Sequence, residues 1–363
     1  MKKNKLFKLA ALSLVVILSS CSKDDPDPIT CTVDTPNAYA FTYDGTNTVS
    51  YSGQAGRLAT AKAVYDVLNA GTNTTIDRTY LDLIIDNDNS KLLTKTAEND
   101  ANRTLVIEHL NGILDTYCAN SAAYDAGTVA TPGTAGWADS YQLDARGWEA
   151  DQQFAKMLIG ALCLEQVNYD YLTKMDVDNE DRAYSDGNVY TKREHYYDEA
   201  FGYVYGLDDN DLDAEINNGL LLGKYLNKHD AGNSYSGVDY RQRAYDAFKL
   251  GRQAVVDNCQ EELDRQIAII NSSLSKVVAW HAMNYLSSAA DAVGTSGFHH
   301  DVSEAWGFVY SLQYTKVDGA PLFSHAEVME MINNLDSGNG AWDLSAETLN
   351  NMSATINSAV TFD

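Results

Sequence analysis

Proline is scarce in this chain: five residues in 363, thinly spread, so long helices can run without the break a proline imposes. Cysteine is also scarce, at five. No Cys-x-x-Cys spacing occurs, which argues against a zinc ribbon or a thioredoxin-type site. Positive charge is in short supply. Lys and Arg number 26 against 51 Asp and Glu, for a formal net charge of −25. No basic patch is visible, and such a chain repels nucleic acid and anionic membrane surfaces. The signatures of common enzymes are missing: no Gly-x-Ser-x-Gly, no phosphate loop, no dinucleotide fingerprint and no His-Glu-x-x-His.

The N-terminus reads as a targeting segment. Lys2, Lys3, Lys5 and Lys8 precede the apolar run Leu9 to Leu18, then Ser19-Ser20-Cys21. The run is too short for a spanning helix and matches a signal peptide over residues 1–20. Leu18-Ser-Ser-Cys21 resembles a bacterial lipobox, which implies cleavage before Cys21 and a lipid on its sulfur. Removing residues 1–20 takes four lysines and no acid, which moves the formal charge from −25 to −29. Residues 21–53 read as an acidic tether followed by an extended segment, since Ser22-Lys-Asp-Asp-Pro-Asp-Pro28 cannot bury a core. Its Lys23-Asp24-Asp25 run resembles the export signal of surface lipoproteins in Gram-negative bacteria, which implies an outer-membrane, cell-surface location. Cys31, Cys118, Cys163 and Cys259 allow three complete disulfide pairings, and sequence does not choose among them.

From Gly56 onward the dominant period is helical. Helices are expected over 58–68, 100–124, 148–172, 211–227, 241–258, 261–292, 324–334 and 345–360, with loops at 125–144, 175–192, 229–237 and 293–299. Two acidic loops fail as EF-hands. Asp176 to Asp181 has Gly187 where the twelfth position needs Glu, and Asp208 to Asp213 departs similarly.

One stretch occurs twice. His195-Tyr-Tyr-Asp198-Glu199-Ala-Phe201-Gly202-Tyr-Val-Tyr205-Gly-Leu207 returns as His300-Asp-Val-Ser-Glu304-Ala-Trp306-Gly307-Phe-Val-Tyr310-Ser-Leu312, at an offset of 105 residues. Self-similarity at a fixed offset signals duplicated structural units. Aromatics at helical spacing usually fill a core, and Gly202 and Gly307 would allow close helix approach. His and Glu four apart share one helix face, so each copy can aim an imidazole and a carboxylate at one point. Packing alone gives little reason to repeat those two polar residues. The expectation is that His195, Glu199, His300 and Glu304 converge as metal ligands between the two helices, with Glu149 as a weaker fifth. Imidazole and carboxylate suit zinc, iron or manganese.

With Val49 to Gln54, Gly147-Trp-Glu149-Ala-Asp-Gln152, Lys156 to Gly160 and the two motif copies together, the chain resembles the imelysin-like lipoproteins, specifically the group called domain of unknown function 4856. The resemblance implies an all-α fold of two related helical bundles in a pseudo-symmetric pair, about 54–228 and 238–363, after the tether. Imelysins carry a Gly-x-His-x-x-Glu signature. Here Asp198 stands where the first copy would have Glu, and Ser303 where the second would. Their association with iron uptake implies a divalent or iron ion as cofactor, with a partner in an outer-membrane uptake receptor and attachment to the membrane through Cys21. The expected function is capture of a metal or an iron-containing ligand by a surface lipoprotein. The alternatives are a metallopeptidase-like enzyme and an accessory or glycan-binding subunit of a receptor.

Overall fold

Helix-forming segments with few breakers give a helical protein. The computed structural model describes residues 31–70, 75–86, 90–185, 187–207, 220–229 and 237–362. Its helices are α1 (Ser52–Asn69), α2 (Arg78–Asp86), α3 (Leu92–Lys95), α4 (Arg103–Asp125), α5 (Ala150–Leu158), α6 (Lys192–Tyr205), α7 (Leu222–Asn227), α8 (Tyr240–Val256), α9 (Gln260–Ala292), α10 (Gly297–Ser311), α11 (His325–Leu335) and α12 (Ala346–Ala359). The all-α expectation holds. The strands are two small antiparallel hairpins, Thr42–Tyr43 with Thr46–Asn47 and Gly136–Ala138 with Tyr141–Leu143. The first turns through Asp44-Gly45, both at positive φ, a geometry that suits tight hairpins. Pro132 and Pro321 lie outside the helices. The signal peptide, the acylation site Cys21 and the Lys-Asp-Asp run lie outside the described residues. Among the described residues, no helix is long and apolar enough to cross a membrane.

Helix starts follow local chemistry. Thr191 caps α6 in a reciprocal box with Glu194, and Ser324 does the same for α11 with Glu327. Asp239 and Ser345 accept backbone N–H groups at the starts of α8 and α12. The 33-residue α9 packs along α8, α10 and α12. A continuous apolar core surrounds it, drawing on almost every helix.

The duplicated stretch is structural as well as sequential. Each copy forms one helix, α6 or α10, crossed at its glycine by an earlier helix segment. A Cβ on Gly202 would lie 2.5 Å from Tyr51 Cβ at the start of α1. A Cβ on Gly307 would collide with Lys156 Cβ and lie 2.9 Å from Met157 N in α5. Both glycines therefore serve close approach.

Four expectations need correction. The helix expected over 148–172 is α-helical only to Leu158. It widens to π turns over Ile159–Leu164 and Gln166–Asp170, then tightens to a 3₁₀ turn at Tyr171–Thr173. The cause is Ser311 of α10. Its hydroxyl accepts from Gly160 N at 2.9 Å and donates to Lys156 O at 2.7 Å, taking the place of the i to i+4 bond between those groups. Of the helix expected over 211–227, residues 211–219 lie outside the described residues, and the described remainder is helical over Leu222–Asn227. The loop 293–299 is shortened because α10 already begins at Gly297. The loop 125–144 contains the second hairpin. Helices α2 and α3 had no counterpart in the periodicity. Cys31 and Cys259 form a disulfide, while Cys118 and Cys163 are free.

Candidate functional site

The second motif copy carries the richer chemistry. His300 and Glu304 lie one turn apart on α10, with His300 Nε2 3.8 Å from Glu304 Oε2. Glu149 precedes α5 and its Oε2 lies 2.7 Å from His300 Nδ1. Glu304 Oε1 receives Lys156 Nζ and the Tyr225 hydroxyl, each at 2.9 Å. Gln152 completes the chain through a short contact with Lys156 Nζ. Glu149 is 4% exposed and Lys156 1%, whereas the His300 side chain is 32% exposed and stacks on Tyr141. The site is therefore a buried acid–base chain that ends in a half-exposed imidazole.

The charges follow from this burial. Desolvation pushes the Glu149 carboxyl up to about 7, even though the His300 hydrogen bond pulls the other way. Burial pushes His300 down, but the Glu149 hydrogen bond and charge outweigh it, so its pKa is raised. Burial also pushes Glu304 up, but the Lys156 charge and hydrogen bond hold it down at about 2. Glu304 is thus a firm carboxylate, while Glu149 and His300 form a hydrogen-bonded acid–base pair.

The remaining motif residues hold this loop in place. His299 Nδ1 lies 2.8 Å from Gly147 O, and burial lowers its pKa, so the neutral ring serves as a brace. Gly147 has φ of 84°, and a Cβ there would meet the His299 ring at 2.9 Å. Ser303, standing where the imelysin signature has Glu, accepts Glu149 N at 2.9 Å and donates to His299 O.

The first copy has the same i, i+4 geometry with different partners. His195 Nε2 is 3.7 Å from Glu199 Oε2, and the ring stacks on Tyr190 at 4.5 Å. Glu199 Oε1 accepts from Gln54 Nε2 at 2.8 Å, a neutral partner. Among the described residues, His195 Nδ1 has no hydrogen-bond partner. The charges beside it are committed elsewhere. Asp198 accepts from Tyr39, Ser50 N and Arg252, and Glu194 binds Arg182 through both oxygens.

The expected four-ligand centre does not form. Among the described residues, no three His, Cys, Asp or Glu side chains are gathered so as to hold a metal ion. Each His/Glu pair has its own partners: Glu199 meets Gln54 of α1 and His195 stacks on Tyr190, whereas His300 meets Glu149 and Glu304 meets Lys156. Glu149 does stand beside His300. Lys156 and Tyr225 were not identified as site residues from sequence. A lone lysine within the apolar run Phe154 to Leu164 was the available signal for the first, because a buried lysine needs a partner. Tyr225 gave none.

Comparison with curated proteins and with solved structures finds no match. A family model described as Domain of unknown function (DUF4856) matches residues 36–363, which cover the whole site and nearly the whole described fold, and the chain belongs to that family.

Proposed function

We propose that this protein is a binding lipoprotein of imelysin-like type that captures a metal-containing ligand at the second motif copy. His300 Nε2 and Glu304 Oε2 are the two donors the chain supplies. The observation that carries the reading is their 3.8 Å separation beside a Glu149 carboxylate that fixes Nδ1. Metal–nitrogen and metal–oxygen bonds of about 2.0–2.2 Å at a tetrahedral angle set two donors about 3.3–3.6 Å apart, so a few tenths of an ångström of side-chain adjustment would close the gap. A carboxylate on the far nitrogen of a ligating imidazole is the usual second partner of such a histidine. Lys156 and Tyr225 occupy Glu304 Oε1 and leave Oε2 toward the imidazole. Zinc, iron and manganese ions take about four to six donors. Two from the chain therefore favour a chelate that brings the rest, rather than a bare ion. Acylation of Cys21, display at the outer surface and partnership with an uptake receptor complete the reading, on the strength of the lipobox and the Lys-Asp-Asp run.

The test is calorimetric titration of the mature chain with zinc, manganese and ferric citrate. Saturable binding at one equivalent supports the reading, and Glu149→Gln should weaken it by about tenfold or more. Absence of binding by all three, or tight binding unaffected by Glu149→Gln, contradicts it.

A further inference from the structure

The acid–base chain of the second copy borders two further lysines. Lys156 of α5 and Lys224 and Lys228 of α7 gather about one ring, that of Tyr225, with Nζ 5.5, 5.6 and 4.8 Å from its centroid. Separations within about 6 Å are those of a cation held against a ring face. The Tyr225 ring is wholly buried, and its hydroxyl donates to Glu304. Lys156 is buried with it, but Lys224 is half-buried and Lys228 is exposed, so this side of the group meets solvent.

Three ammonium groups on one ring are unexpected in so acidic a chain. Asp and Glu outnumber Lys and Arg by 51 to 26, and Lys62, Lys95, Lys174 and Lys249 each lie against a carboxylate. Among the described residues, Lys224 and Lys228 make no such pair and lie only over the ring. Four apart on one helix, they also repel each other. Burial lowers the pKa of both, helped by the Lys156 charge, and among the described residues Glu304 alone opposes it. That carboxylate is already engaged, since its Oε1 receives Lys156 and Tyr225. The arrangement is therefore short of negative charge.

We propose that Lys224 and Lys228 receive the oxyanion groups, carboxylate or phosphate, of the ligand taken at the second copy. Joined to the metal reading, on which this class of chelate rests, the ligand is a polycarboxylate or polyphosphate. Some of its oxygens complete the shell of the ion, and others meet the two ammonium groups. A neutral chelator leaves both charges uncompensated, and a cationic one is repelled by them. Each ammonium is a compact charge with three donors and accepts either oxyanion, so the lysines select the charge and not its carrier. Exposed acids more than about 10 Å away are largely screened by salt, and the local excess of lysine decides.

The experiment titrates the mature chain by calorimetry with citrate and with tripolyphosphate, in buffer stripped of metal on a resin, and separately with ferric citrate. At least one metal-free anion should bind saturably, and more weakly as salt rises; which of the two binds names the carrier. Lys224→Met combined with Lys228→Met keeps the apolar stems on the Tyr225 ring and removes both charges. This double variant should melt within a few degrees of wild type and lose about tenfold in affinity per lysine, for the metal-free anion and for ferric citrate alike. Binding of neither anion, or equal binding by wild type and the double variant, would overturn the proposal. Tight binding of ferric citrate by both proteins in that case leaves the metal reading standing. Lysine-dependent binding of a metal-free anion, with ferric citrate bound no tighter, upholds the anion site and overturns the metal reading instead.

Discussion

The two motif helices present the same His, Glu, glycine and tyrosine in register, and their His-to-Glu separations are nearly equal at 3.7 and 3.8 Å. What differs is everything each pair touches. In the first copy Glu199 meets a neutral amide and His195 Nδ1 meets nothing among the described residues, while the neighbouring Asp198 and Glu194 are tied to arginines. In the second copy both oxygens of Glu304 and both nitrogens of His300 have a distinct task, set by Glu149, Lys156 and Tyr225. Duplication preserved a helix and its crossing, and chemistry then depended on residues that the crossing partner supplies. On the proposed reading, the first copy is a structural hub and the second is the binding site.

The largest expected effect breaks the first copy. Arg252 is wholly buried, donates to Asp198 at 2.8 Å and lies 3.5 Å from Glu194. Arg252→Met leaves a buried carboxylate without its cation and should cost about 3–5 kcal/mol, read by urea denaturation. Chelate binding by the protein that remains folded should be unchanged. A loss below about 1 kcal/mol would contradict the hub assignment, because it would place the pair among weak surface bridges.

Lys156→Met breaks the second copy and should cost about 3 kcal/mol at neutral pH. The sign of its pH dependence follows from Glu304. That carboxyl titrates at about 2 in the folded protein and near 4.3 when unfolded. Its contribution is therefore fully present above about pH 4.3 and is lost as pH falls toward about 2. The stability gap between wild type and Lys156→Met should be widest near neutrality and close through that window, with a chelator present throughout. A gap that stays constant from about pH 7 to about pH 2.5 would show that Lys156 acts by packing alone.

The helical class and both motif helices were legible because their signals are local: apolar period, sparse proline and a repeat at fixed offset. The site was legible only in part. His300 and Glu304 declare themselves by spacing on one helix, but the partners that tune them come from 79 to 151 residues away, and no local pattern encodes such a pairing. The same limit hid the π turns of 159–170, which depend on a serine of α10 rather than on any residue of their own segment. It also left the cysteine pairing open, since Cys31 and Cys259 are 228 residues apart.

The smallest effect on stability accompanies the most direct test. His195 is partly exposed and its Nδ1 has no partner among the described residues, so His195→Ala should cost about 1 kcal/mol or less, whereas His300→Ala also strands the buried Glu149 carboxyl and should cost about 1–3 kcal/mol. Titration of the two variants with ferric citrate and zinc, side by side with wild type, compares the copies directly. The account predicts that His300→Ala loses chelate binding at least tenfold while His195→Ala binds as wild type does. Equal loss in both variants, or loss in His195→Ala alone, would contradict the assignment of the site to the second copy.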